Sequence, residues 1–73
     1  MTQKEKVISY MTKYGVITTK QAIDDLWILD LQSIIRYLRN DGYTVYDKWI
    51  KTKNSRYKAY SFSKRALMNY IMG

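Results

Sequence analysis

Between Thr18 and Phe62 the chain changes its hydrophobic period once, from three-to-four residues to two, and the change falls at Gly42. Ahead of it, Thr18-Thr19-Lys20-Gln21 has the Thr-x-x-Gln form of a capping box, and Ala22, Ile23 and Leu26 follow at helical spacing. Trp27-Ile28-Leu29 interrupts that pattern, and Asp30 can cap a further helix. On that helix Leu31, Ile35 and Leu38 share one face, with Ile34 at its flank. The spacing therefore predicts two short helices joined by a tight turn over 18–42. Behind Gly42, Tyr43 to Lys53 is rich in Tyr, Thr, Val, Trp and Ile, which suit a pleated surface. Asn54-Ser55 reads as a tight turn and Arg56 to Phe62 as the returning strand, a hairpin over 43–62. Trp49 and Ile50 are adjacent and break the alternation, which predicts a bulge or twist there.

The flanks complete one small domain, 1–73. Thr2-Gln3-Lys4-Glu5 is another capping box, Val7, Ile8, Met11 and Tyr14 (with Tyr10 beside them) repeat at helical spacing, and Gly15 supplies a left-handed stop. Val16-Ile17 is a short extended piece. After Ser63, which can act as a cap, Ala66, Leu67, Tyr70 and Ile71 with Met68 and Met72 predict a short last helix over 64–72. That helix either completes the core or joins two copies as a homodimer. The fold class is α+β, three helices around one core with a two-stranded hairpin and a C-terminal helix. Trp27, flanked by Leu26 and Ile28, reads as a core residue.

Composition removes several functions. The chain has no cysteine and no histidine, so neither a disulfide nor an ordinary zinc site is expected. Its glycines, Gly15, Gly42 and Gly73, stand apart and form no phosphate-cradling loop. Asp24 and Asp25 are adjacent, so on a helix they diverge by about 100° and make a poor acid–base pair. We expect no enzyme, no cofactor and no small-molecule substrate. No stretch approaches the roughly 20 apolar residues that span a bilayer, and the amphipathic start is unlike a secretory signal. A cytoplasmic protein without a membrane partner is expected.

Charge divides where the period changes. Residues 1–42 carry six Lys/Arg against five carboxylates, a net +1, while 43–73 carry seven against Asp47 alone, a net +6. Lys48, Lys51, Lys53, Arg56 and Lys58 gather around Asn54-Ser55, where they can neutralise phosphates. Exposed lysines on a hairpin also deter sheet-to-sheet aggregation, and the two roles are compatible. On the preceding helix Gln32, Ser33, Arg36 and Tyr37 point away from the apolar face, with Arg39 at its edge. Gln pairs two ways with adenine and Arg with guanine. Lys20 and Arg39 can brace flanking phosphates. Trp27, Tyr46, Trp49 and Tyr57 are expected first as core residues or cross-strand pairs and second as platforms for unpaired bases.

Helix, short strand, helix, turn, helix and hairpin is the order of a winged helix-turn-helix. The chain resembles small phage and prophage helix-turn-helix proteins, through Gly15-Val16-Ile17-Thr18, Leu38-Arg39-Asn40-Asp41-Gly42-Tyr43 and Trp49. The similar stretch runs from Gln3 to Tyr60. The resemblance implies duplex DNA binding, with the helix after Asp30 in the major groove and the hairpin as wing, by a small transcriptional regulator or an excisionase-like architectural factor in a bacterial host cell. Members of that family often carry Arg near the positions of Asp30 and Ile34. An apolar Ile34 with the last helix (Leu67, Tyr70, Ile71) supports a rival expectation, a phage protein that binds and inhibits a host protein, as anti-CRISPR inhibitors of host nucleic-acid enzymes do.

Overall fold

A computed structural model describes residues 2–72. It contains α1 (Gln3–Tyr14), β1 (Ile17–Thr18), α2 (Thr19–Leu26), α3 (Leu31–Asn40), β2 (Tyr46–Lys51), β3 (Arg56–Ser61) and α4 (Lys64–Met72). The expected two-stranded wing is part of a three-stranded antiparallel sheet of order β1-β3-β2, because Ile17 and Thr18 pair with Tyr60 and Ala59.

Side chains close the N-terminal ends of the helices. Thr18 Oγ1 accepts from Gln21 N at 3.1 Å while Gln21 Oε1 accepts from Thr18 N at 3.0 Å, so both partners of the capping box are engaged. Thr2 Oγ1 accepts from Glu5 N at 3.1 Å, and Asp30 accepts from both the amide and the hydroxyl of Ser33. Hydrogen bonding from Ser33 holds the Asp30 carboxyl below its ordinary range. At the end of α3, Gly42 at φ 101° lets its own N–H reach Arg39 O at 3.1 Å and that of Tyr43 reach Leu38 O at 3.0 Å, a Schellman turn. The chain then swings into β2, and Tyr43 stacks on Phe62 with ring centroids 5.5 Å apart.

Hydrophobic burial falls into two clusters on opposite faces of the sheet. The larger joins Val7, Met11, Ile17, Ala22, Ile28, Leu31, Ile34, Ile35, Leu38, Val45 and Tyr60. The smaller joins Val16, Ala59 and Leu67, with Ile50 and Ala66 against them. The β2–β3 register is unbroken, from Tyr46 opposite Ser61 to Lys51 opposite Arg56. The expected bulge is therefore absent. Trp49 and Ile50 occupy opposite faces of a regular strand, and because α4 covers the second face both positions can be apolar. The tight Asn54-Ser55 turn also proves longer: Thr52 to Ser55 form a four-residue loop. Thr52 N donates to Ser55 O at 2.7 Å, and Ser55 N donates to Thr52 Oγ1 at 3.0 Å.

Two buried polar residues knit the layers. The Ser61 hydroxyl donates to Gly15 O and accepts from Ser63 N, so β3 is tied to the end of α1 and to the start of α4. Thr18 is used as the α2 cap. Among the described residues no buried side-chain polar atom lacks a partner. Between α1 and α2, the Tyr10 hydroxyl donates to Asp25 at 2.7 Å, and burial with that bond pushes its pKa up to about 12.

Candidate nucleic-acid interface

The buried stripe of α3 fixes what its other side displays. With Leu31, Ile34, Ile35 and Leu38 held in the core, Gln32, Arg36, Tyr37, Arg39 and Asn40 are left exposed. Gln32, Arg36 and Arg39 lie on the flank beside the sheet, where they share a hollow with Asp47, Lys58 and Tyr60. Strand alternation puts Trp49, Lys51, Arg56 and Lys58 on that same face of the hairpin. A cleft of roughly 290 Å³ runs between the start of α3 and this face, with Leu29, Gln32, Trp49, Arg56 and Lys58 among its walls.

Electrostatics sorts the cations into occupied and free. Asp47 Oδ2 lies 2.9 Å from Lys58 Nζ and 3.8 Å from an Arg39 nitrogen, and Arg39 also donates to Val45 O at 2.7 Å. Arg39 and Lys58 are therefore partly neutralised, a pairing that sequence order alone concealed because Asp47 meets them across a helix and a strand. Arg56 and Lys58 stand over the Trp49 ring, 4.7 and 5.3 Å from its centroid. The indole thus serves as a rest that keeps two cations on one side of the wing. Among the described residues no ion pair engages Lys20, Arg36, Lys48, Lys51, Lys53 or Arg56.

The remaining candidates are dispersed. Ser33 spends its hydroxyl on Asp30, and Ser55 spends its own on the loop. Lys53 and Asn54 project at the tip. Lys48 lies on the sheet face that α4 covers, turned away from α3. Lys20 lines a groove with Asp24 and Asp25, whose charges oppose its own.

Two expectations are overturned here. Ile34 and Leu67 are only 5% and 2% exposed, so neither can offer itself to a protein partner without the core opening. Ile34 belongs to the main cluster because α3 is apolar over a broad arc, and Leu67 is the residue that caps the second cluster. Tyr70 and Ile71 remain at the surface. Trp27, expected in the core, is instead exposed, because its left-handed backbone turns the side chain away from both helices.

Helix, strand, helix, turn and helix, followed by a hairpin whose second strand pairs with the first short strand, define a winged helix. Residues 2–65 match the winged helix-turn-helix domain family, and the chain belongs to it. Neither the curated proteins nor the solved structures compared with the chain gave a significant match. Membership points to DNA binding as the family's use of the fold. Among the described residues no group of acidic side chains could hold a metal ion, and no helix is long and apolar enough to cross a membrane.

Proposed function

We propose that the chain is a duplex-DNA-binding protein of a phage or mobile element, acting as a small transcriptional regulator or an excisionase-like architectural factor. Gln32, Arg36 and Tyr37 probe base edges in the major groove, and Lys51, Lys53 and Arg56 grip the flanking phosphates through the wing. One observation carries this reading. The exposed flank of α3 and the cation-bearing face of the hairpin border the same cleft, and Arg36, Lys51, Lys53 and Arg56 form no ion pair among the described residues. Side chains on a helix then face base edges while those on the ribbon face the backbone.

Fluorescence anisotropy with duplex DNA across a range of salt tests it. Four to six phosphate contacts give a slope of log K against log salt of roughly −4 to −5. Arg36→Ala is expected to weaken binding to the preferred site by ~1–3 kcal/mol and to relax the preference at one base position. Lys53→Ala is expected to weaken all sequences alike and to flatten the slope by about one. Millimolar binding at low salt would overturn the proposal, and equal losses on specific and random duplex would remove Arg36 from the base-reading group.

A further inference from the structure

Next to the proposed DNA-binding cleft, and sharing Leu29 with its wall, lies one conspicuous apolar patch. Trp27 and Leu29 are 86% and 82% exposed, and with Ile23 and Asp24 they line a shallow hollow at the turn between α2 and α3. Trp27 also holds φ 59°, ψ 33°, the left-handed region that favours glycine. Its indole stands in solvent and returns nothing to the core for that conformation. A large apolar side chain kept at a strained position without internal packing points to contact outside the fold.

The patch differs in charge from the rest of the molecule. The chain carries +7 overall, yet Asp24, Asp25 and Asp30 supply half of its six carboxylates and no Lys or Arg occurs from Gln21 to Ile35. The complementary surface exists on the same chain. Helix α4 opens with Lys64-Arg65 and leaves Met68, Ile71 and Met72 at the surface. The family match stops at Arg65, so this apolar flank lies past the part of the chain that the family accounts for. Tyr70, on the other flank of α4, already lies in the groove with Tyr57, Asp24 and Asp25 of its own chain.

We propose that Ile23, Trp27 and Leu29 of one copy receive the Met68-Ile71-Met72 flank of a second copy, with Lys64 and Arg65 drawn toward Asp24 at the edge of the patch. Each copy carries one donor and one acceptor surface; engaged one at a time they give a head-to-tail contact with a free surface at each end, whereas a reciprocal pair would close as a two-fold dimer. Copies associated head-to-tail would line up with one polarity. The contact needs no DNA, so its test stands apart from the DNA-binding proposal.

Sedimentation velocity of the full chain without DNA, over a range of concentrations, is the experiment. The wild type is expected to associate progressively. Trp27→Gly is expected to keep or raise Tm, since glycine takes the left-handed geometry freely, while weakening association at least tenfold. Met72→Glu is expected to weaken association similarly with Tm unchanged. An equal mixture of the two variants is expected to form a dimer and stop there, because only one intact patch and one intact flank can meet. A wild type that stays monomeric overturns the proposal and leaves the patch to another basic, apolar partner. So does a Met72→Glu variant that associates like the wild type, which would mean patch against patch, or a mixture that stays monomeric.

Discussion

Asp47 is the sole carboxylate among the seven cations of residues 43–73, and it is spent on Lys58 and Arg39. Both line the hollow between α3 and the sheet, beside Arg36, so a single side chain offsets much of the charge that this junction presents. An exposed pair of this kind contributes roughly 0–1 kcal/mol, too little to hold the fold and enough to modulate an anion site. Asp47→Asn keeps the volume, removes the charge and releases both cations. Duplex affinity at low salt is expected to rise about two- to fivefold, with the gain vanishing at high salt as screening takes over. Unchanged affinity at every salt concentration would show that Arg39 and Lys58 do not meet phosphate.

At the scale of elements, α4 has a structural role that its sequence only half declares. It covers Ile50 and Ala59 through Leu67, and thereby gives the hairpin an apolar contact on the face opposite Trp49, Arg56 and Lys58. Leu67→Ala is expected to cost roughly 2–5 kcal/mol of stability, read from the urea midpoint, and to loosen the wing before the three-helix core. Loss of helical and wing signals in step, with a cost under about 1 kcal/mol, would mean that α4 merely rests on the sheet. The caps at Thr2, Thr18 and Asp30, the stop at Gly42 and the apolar face of α3 were legible in the sequence because each is a local bond or a fixed spacing. The third strand was not: Ile17-Thr18 is two residues long, and its pairing with Tyr60 and Ala59 spans more than forty positions. The regular course of Trp49-Ile50 was hidden for the same reason, since only the position of α4 shows that the Ile50 face of β2 is covered while Trp49 stands on the open one. In the candidate site, the exposed side of α3 followed from periodicity. The capture of Lys58 and Arg39 by Asp47 depended on tertiary contact, and so did the outward turn of Trp27.

For the molecule as a whole, salt acts on two properties with opposite sign. Against the net charge of +7 on an object of 34 × 24 × 20 Å, the described residues set few close pairs: Lys4 with Asp41, and Arg39 and Lys58 with Asp47. The uncompensated cations concentrate on the wing and its neighbours, so the folded chain repels itself most where the proposed DNA contact lies. The Debye length is about 10 Å at 0.1 M salt, less than any dimension of the molecule, so added salt quenches this repulsion quickly. Tm in the absence of DNA is expected to rise as monovalent salt increases toward ~0.15 M and then to level off. Affinity for duplex falls over the same range, because each neutralised phosphate releases counterions. Duplex added at low salt is therefore expected to raise Tm by more than the same duplex at high salt, since only the folded state binds it. A Tm that falls with salt from the start would place the three ion pairs above the repulsion, and the wing's charge would then cost the fold nothing.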